Sequence, residues 1–465
     1  MTRPVMIARM IAYSRATRLI AGARIIAGIA VVGLMVALVT VQGTPAAAGM
    51  IRDTEIESGL ETLLAPLETA AGYQPGSVAT RVVLDPSYNA FVAGKRMIYI
   101  HSGLLVEARS SLEVIGVLAH ELGHIKEGHV QRLDDELQRA SAAAALATVA
   151  AIAVAVGGGG DAAAGVLIGG NDQAAKGFLA SRRRAESIAD EISLQLLERS
   201  GLSAVGLRDL MQRMARQRSL PESRQSIYYR THPGATDRLQ TFQDHLNQST
   251  FSDVPPPQEA VRLFQRIRAK MIAWTESPQR VHSLAAETAP NAMLSIYMRA
   301  IADFRRGDLR TALDHMERLV SLHPDDPYFH EFRGDILFAL ARPDDAAAAY
   351  EQALARRPNS ALILTNLGRA LIASGGAADL ERAIVALETA LGTESDWAFL
   401  HRQYGIALGR SGRIAEADLA LADEAILLDD GQRAARLARR VLAIADIDPV
   451  MRRRASDIVF RYSKD

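Results

Sequence analysis

The spacing of apolar residues divides the 465-residue chain into three parts. A continuous apolar run covers residues 25–41, a mixture of strand and helix patterns follows to about residue 252, and helical patterns alone fill the rest. In the middle part, residues 97–101 have the pattern of a strand, and residues 112–122 and 184–197 have the apolar spacing of helices. The chain is therefore predicted to be α+β and mostly α, with a small sheet in the middle part and an all-α domain after it.

The last part of the chain carries an internal repeat. Three pairs of residues are 34 positions apart: Gly334 and Gly368, Ala312 and Ala346, Pro324 and Pro358. This period predicts tetratricopeptide repeats, in which paired helices cross at small residues and turn at Pro. Gly405 follows Gly368 by 37 residues, so the period slips near residues 374–378. We expect about four repeats over 292–428 and capping helices over 432–460, stacked into a solenoid that binds protein segments.

Composition marks the domain boundaries. Five arginines precede the first apolar run, and small residues at 45–49 follow it, which is typical of a signal peptide cleaved after Ala48. Because the basic region is long, an uncleaved membrane anchor is the alternative. Three consecutive prolines at 255–257 mark a second boundary. The predicted parts are a signal peptide or anchor at 1–48, a first domain at 51–252, a Pro-rich linker with a connecting helix at 253–290, and the repeat domain at 291–465.

Charge and cysteine content exclude several kinds of site. The chain has 53 basic and 53 acidic side chains and no Cys. Removing residues 1–48 takes away five Arg and no acid, so 48 basic and 53 acidic side chains remain, a balance that gives no reason to expect nucleic acid as a partner. Disulfides and thiolate metal ligands are excluded. We interpret the arginine runs at 182–184 and 452–454 as solvated helix faces.

The apolar helix predicted over 112–122 contains His120 and Glu121, and His124 follows. These three residues form the pattern His-Glu-x-x-His. Residues at i and i+4 share one face of a helix, so both imidazoles can reach one zinc ion. Glu121 lies about 100° further round the helix, where it can approach the open side of the metal as a general base without binding it. Burying these polar groups without a metal or other partners would cost several kcal/mol.

A catalytic zinc ion needs a third protein ligand, and Glu186 is the leading candidate. The helix predicted over 184–197 opens near Glu186, and Asp190 follows one turn later on the same face. A carboxylate there can accept the free ring N–H of a zinc-bound His. His129 is the alternative third ligand, but its spacing does not match the metzincin pattern, and we interpret it as a helix C-terminal residue that interacts with the last carbonyls.

These motifs resemble the HtpX, Ste24 and BepA group of gluzincin metallopeptidases, whose pattern is HExxH followed by ExxAD, and within it the periplasmic BepA (YfgC) branch. Three further segments carry the resemblance: Asn-Ala-Phe at 89–91, the strand and its continuation at 97–105, and Thr-His-Pro at 231–233 with Arg238. The resemblance is close over 51–252. It implies an endopeptidase with one Zn²⁺ per chain, bound by His120, His124 and Glu186, and with Glu121 as the base.

The resemblance also assigns roles outside the two motifs. His232 matches a His on a loop that can plug the site as a fourth zinc ligand. Its imidazole could instead stabilise the oxyanion of the tetrahedral intermediate, or it could be held only by hydrogen bonds within its loop. Arg238 is expected to orient that loop or contact substrate, with an ordinary exposed charge as the alternative.

Substrate binding is predicted at the strand over 97–101. Proteases commonly add an extended substrate to an exposed sheet edge, which suits unfolded clients because it depends on backbone rather than sequence. Four residues are expected to line this groove: Asn89, Phe91, Ile98 and Tyr99. Ordinary core packing is the alternative for Phe91 and Ile98.

A segment rich in Ala, Val and Gly covers residues 140–170, and it holds no charge from 140 to 160. Its length would allow a membrane span. However, Ala is weakly hydrophobic and four consecutive glycines at 157–160 interrupt a helix. We favour a soluble Ala-rich helix and a mobile loop near the cleft, serving as a lid or as a surface for membranes or unfolded outer-membrane proteins.

The resemblance implies a protease exported to the periplasm that degrades misfolded or misassembled outer-membrane proteins. The repeat domain would dock these clients or the outer-membrane assembly machinery, and peripheral membrane contact is a further expectation. The alternative is a chaperone or assembly adaptor whose repeat domain carries the main activity and whose zinc site is latent.

Overall fold

The computed structural model describes residues 49–94, 96–129, 160–287 and 289–463, with the backbone alone over 160–179 and at Glu222. The predicted signal peptide at 1–48 and residues 140–159 of the Ala-rich segment lie outside the described residues. In the part that is described, no helix has both the length and the apolar character that crossing a bilayer requires.

Four short strands form the sheet of the first domain: β1 (Met50–Ile51), β2 (Ala79–Val83), β3 (Ala90–Ala93) and β4 (Met97–His101). Their order is β1-β2-β4-β3, with β2 and β4 parallel and the other pairs antiparallel. Gly94, at a φ of 68°, turns the chain so that β3 folds back on β4. The prediction that residues 97–101 offer a free edge is therefore wrong, because β4 is paired on both sides and the edge belongs to β3.

The helices of the first domain enclose one apolar core against this sheet. They are α1 (Thr54–Ala71), α2 (Ser102–Glu107), α3 (Ser111–Lys126), α4 (Gly160–Arg199), α5 (Val205–Ala215), α6 (Ile227–Thr231) and α7 (Ala235–Gln248). The Ser110 side chain caps α3 by accepting a hydrogen bond from the amide of Glu113. Helix α4 begins 24 residues before the helix predicted over 184–197, so residues 160–170 of the Ala-rich segment are helical rather than part of the predicted loop.

Helix α8 (Gln258–Thr275) joins the first domain to the repeat domain. Its residues Phe264 and Ile267 belong to the core of the first domain, whereas Ile272 and Ala273 belong to the core of the first repeat helices. Ion pairs just before α1 and in β2 add to this junction: Lys270 Nζ lies 2.8 Å from Asp53, and Glu394 pairs with both Arg52 and Arg81 at 2.7 Å. The two parts are thus held together by apolar packing and by ion pairs.

The repeat domain consists of paired helices. After α9 (Pro278–Glu287) come α10 (Ala292–Arg306), α11 (Leu309–Leu322), α12 (Pro327–Ala339), α13 (Pro343–Arg356), α14 (Ala361–Ser374), α15 (Ala377–Thr393), α16 (Ala398–Arg410), α17 (Ile414–Leu427), α18 (Gly431–Leu442) and α19 (Pro449–Tyr462). A Cβ on Gly334, Gly368 or Gly405 would lie 2.6 to 2.8 Å from the side chain of the paired helix. These glycines stand where helices cross, as the 34-residue period predicts, and the predicted mostly α, α+β fold is confirmed.

Candidate metal centre

Two helices carry the motif residues, and one glycine sets the distance between them. Helix α3 holds His120, Glu121 and His124, and α4 holds Glu186. At the crossing, a Cβ on Gly123 would lie 2.7 Å from the carbonyl oxygen of Ala189. Because this position has no side chain, the backbones approach closely and the carboxylate of α4 reaches the imidazoles of α3.

Four buried or nearly buried side chains converge on one point: His120, His124, Glu186 and His232. His120 Nε2 lies 3.1 Å from His124 Nε2 and 3.3 Å from Glu186 Oε2. The fourth residue, His232, follows helix α6, and its Nδ1 lies 3.2 Å from His120 Nε2 and 3.0 Å from Glu186 Oε2. Ligand bonds of about 2.0 to 2.1 Å separate the ligands of a tetrahedral ion by about 3.3 Å, so this donor set fits a metal ion.

The second ring nitrogen of each motif His also has a partner. His120 Nδ1 lies 2.9 Å from Asp190 Oδ1, the arrangement that the helical spacing predicts. His124 Nδ1 lies 2.9 Å from His129 Nδ1. This contact is not part of the interpretation of His129 as a residue that interacts with the last helix carbonyls. Helix α3 ends at Lys126, and Gly128, at a φ of 65°, turns the chain so that His129 returns to the imidazole of His124.

Arg238 holds the acidic residues of the centre from behind. Its Nε lies 2.6 Å from Asp190 Oδ2, and its Nη1 lies 2.9 Å from Glu186 Oε2 and 3.2 Å from the carbonyl oxygen of His232. Since the side chain is buried and fully engaged, the prediction that it contacts substrate is wrong, and so is the alternative of an exposed charge. Its contact with the His232 carbonyl agrees with the predicted orientation of the loop.

The charges of the centre favour metal binding by the carboxylate and by His124. Burial opposes ionisation of Glu186, but the neighbouring His232, His120 and Arg238 hold the pKa of this carboxyl well below its usual value. Burial lowers the pKa of His124 well below its usual value, so this imidazole is neutral at neutral pH. Burial and Arg238 act against a charge on His120, but hydrogen bonds with Asp190 and Glu186 raise its pKa to about 9.

Glu121 lies beside the donor set and outside it. It is buried, its Oε1 accepts no hydrogen bond from the described residues, and the nearest imidazole nitrogen, His232 Nε2, is 3.6 Å away. Burial raises the pKa of this carboxyl above its ordinary value. A buried carboxylate with a free oxygen and a raised pKa suits a general base.

A cavity of about 380 Å³ opens beside Glu121, His124 and Glu186. One wall is the free edge strand β3, through Phe91 and Val92, and the other is α4, through Arg182, Arg184 and Ile188. The interpretation of residues 182–184 as a solvated face is therefore wrong for Arg182, which is half-buried, whereas Arg183 and Arg184 are exposed.

The residues predicted to line the substrate groove separate into two groups. Phe91 lines the cavity, and its ring stacks on Tyr99 with centroids 5.2 Å apart. Ile98 is fully buried and Asn89 is 5% exposed, and among the described residues neither these two nor Tyr99 lines the cavity. Side chains alternate along a strand, so Ile98 enters the core while Tyr99 faces the other way.

Two residues near the centre were not predicted from the sequence. The ring of Tyr228 stacks on His232 with centroids 4.3 Å apart, and Arg182 donates a hydrogen bond to the carbonyl oxygen of Thr231. Tyr228 stands four residues before His232, and Arg182 stands four residues before Glu186. A helical i, i+4 search from each candidate ligand would have found both.

Asp190→Asn is expected to weaken metal binding about 10- to 100-fold, because the amide accepts the N–H of His120 without a negative charge. Titration of the metal-free protein with zinc in competition with a chelator measures this change. Glu191→Gln, an exposed position on the same helix, serves as the control and is expected to bind as wild type. Equal affinity of Asp190→Asn and wild type would contradict the role of Asp190.

Comparison with known proteins gives relatives for both parts of the chain. Residues 50–245 match the model of Peptidase family M48, and residues 297–361 and 334–398 match that of the Tetratricopeptide repeat. The "Beta-barrel assembly-enhancing protease" of Yersinia pestis is 24% identical over 293 residues, which are 63% of this chain and 60% of that protein. The "Metalloprotease LoiP" of Escherichia coli (strain K12) is 29% identical over 207 residues, which are 42% of this chain and 72% of that protein. The chain thus spans about 60% of the length of the first relative.

Proposed function

We propose that the protein is a zinc-dependent endopeptidase of the cell envelope, because residues 50–245 match the model of Peptidase family M48 and tetratricopeptide repeats follow. One observation carries the proposal: a buried donor set on α3 and α4 with the carboxylate of Glu121 free beside it. Structural contacts alone would not leave that oxygen without a hydrogen-bond partner at such burial.

Zinc suits the donor set, since imidazole nitrogens and a single carboxylate are its common ligands in catalytic sites. His120, His124 and Glu186 would hold the ion, with Asp190 and His129 orienting the two imidazoles. When bound, zinc supplies a Lewis acid that polarises a carbonyl group and lowers the pKa of water.

The side chains of the protein perform the proton transfers of peptide hydrolysis. Glu121 accepts a proton from the attacking water and delivers it to the amine that leaves. The free edge of β3 can pair with the backbone of an extended peptide, which places the peptide in the cavity between β3 and α4. Binding through the backbone would suit misfolded proteins of varied sequence.

The contacts of His232 indicate that the proposed enzyme has a closed resting state. Its Nδ1 lies within 3.2 Å of both His120 Nε2 and Glu186 Oε2, where a water or a substrate carbonyl would have to enter. Stacking on Tyr228 holds the imidazole in that position. We infer that the loop after α6 must withdraw before a substrate is cleaved, and that the activity scales with the fraction of open molecules.

His232→Ala is expected to raise the rate of casein cleavage roughly tenfold. The variant lacks the imidazole that closes the site, so a larger fraction of the molecules is open. Zinc content and cleavage are measured on the same preparation, with wild type beside it. A fall of roughly 100-fold or more would instead assign His232 to the stabilisation of the oxyanion. One zinc per chain with no cleavage by either protein would contradict the endopeptidase, and absence of zinc would contradict the metal site.

The names of the relatives suggest the substrates. Relatives that align with 63% of this chain, from Yersinia pestis and Escherichia coli among others, are called beta-barrel assembly-enhancing proteases, which supports a role in the assembly or quality control of outer-membrane proteins in the periplasm. The repeats would dock these clients or the assembly machinery. The alternative of an adaptor with a latent zinc site is less favoured, because it gives Glu121 no role.

A further inference from the structure

Two arginines of α4 stand at the mouth of the cavity, four and two residues before Glu186. Arg182 and Arg184 line the cavity, whereas Arg183, between them, does not. Arg184 is exposed and forms no ion pair with any described residue. Arg182 is half-buried and donates a hydrogen bond to the Thr231 carbonyl. In the described part of the chain it has no carboxylate partner. Two side chains that carry a positive charge therefore line the cavity.

The other charges of the cavity do not compensate these two. Among the described lining residues, the acidic ones are Glu121 and Glu186, and a divalent ion at the site offsets both. Asp190 is paired with Arg238 behind the site and does not line the cavity. With the metal bound, the floor of the cavity is neutral and its mouth is positive, which attracts anionic groups.

We propose that the cleft selects peptides with an Asp or Glu side chain close to the scissile bond, which Arg184 binds with the assistance of Arg182. This inference rests on the proposed peptidase function. A peptide paired with β3 directs alternate side chains towards α4, where a guanidinium can form two hydrogen bonds with a carboxylate. Phe91 and Val92 supply the opposite, apolar wall.

The first experiment maps cleavage sites. The zinc-loaded protein and its His232→Ala variant digest a mixture of peptides of known sequence, and mass spectrometry identifies each bond that is cut. Asp and Glu are expected to be enriched within three residues of the cleaved bonds, at one or two fixed positions. A profile with no acidic enrichment at any of these positions overturns the proposal.

The second experiment measures the effect of Arg184 on peptide pairs. For a peptide with Glu at the enriched position and its Gln counterpart, we expect kcat/KM to differ about fivefold, the effect of one partly exposed ion pair. Arg184→Gln should bring this ratio to about one. Arg184→Glu should cleave a peptide with Lys at the enriched position faster than the Glu peptide. Arg183→Gln, with the same loss of charge on the same turn, is the matched control and should retain the ratio.

The outcomes separate this proposal from the proposed function. Cleavage of no peptide by either protein would contradict the peptidase itself. Cleavage of Glu and Gln peptides at equal rates would contradict only the acidic preference. An equal effect of Arg183→Gln and Arg184→Gln would show that the summed positive charge of α4, and not a direct contact with Arg184, attracts the peptide. This result would also overturn the proposal. A preference that persists unchanged at 1 M salt, where charges are screened within about 3 Å, would exclude the solvent-exposed ion pair.

Discussion

Glu121→Gln is expected to abolish proteolysis while zinc remains bound. Gln has nearly the same volume, so the fold and the donor set on α3 and α4 stay in place. It cannot accept the proton of the attacking water, and general-base catalysis contributes about 100- to 10,000-fold to such rates. We expect a loss of about 1,000-fold in kcat/KM for the cleavage of casein, measured in the His232→Ala background to avoid the resting state.

Two companion variants define the meaning of that loss. Glu191→Gln changes an exposed carboxylate of α4 and should cleave as its parent does. His124→Ala removes a metal ligand and should lose both zinc and cleavage. If Glu121→Gln loses zinc as His124→Ala does, Glu121 is a ligand or a structural support. If it retains activity within tenfold, the base is another residue.

Local spacing explains why the sequence predicted the donors on α3 and the partner of His120. The i, i+4 relation places His120 and His124 on one face of a helix whatever the rest of the chain does. The same relation links Glu186 to Asp190, and the structure brings Asp190 to His120. The repeat period likewise predicted the helix pairs, because each Gly marks a crossing between two helices adjacent in the chain.

Features that depend on turns and on distant contacts could not be predicted in this way. The turn at Gly94 decides that β3, not β4, is the free edge beside the cavity. The turn at Gly128 brings His129 to His124, although no helical spacing relates them. The buried position of Arg238 depends on ion pairs with residues about 50 positions earlier in the chain, which a local pattern does not contain.

Gly123→Ala is expected to damage the metal centre although the substitution adds only a methyl group. The new Cβ would lie 2.7 Å from the carbonyl oxygen of Ala189 and 3.1 Å from its Cα. Both atoms belong to the backbone, so they cannot rotate away, and α4 must move from α3. Overpacking of this kind costs about 1 to 3 kcal/mol of the free energy of unfolding. The helix propensity of Ala returns at most about 1 kcal/mol.

The displacement of α4 moves both Glu186 and Asp190 away from the imidazoles. Zinc affinity and the rate of catalysis should therefore fall together with the free energy of unfolding. A shift of about 1 Å costs roughly 100-fold in rate. Gly392→Ala is the matched control, because among the described residues no atom outside the adjacent backbone of α15 lies within 4 Å of its new Cβ, and it should leave stability unchanged or raised. Zinc affinity, casein cleavage and thermal unfolding of the metal-free protein are measured for both. Wild-type zinc affinity in Gly123→Ala would show that the close approach at Gly123 does not set the geometry of the site, whereas lost affinity with unchanged stability would place the strain in the metal centre itself.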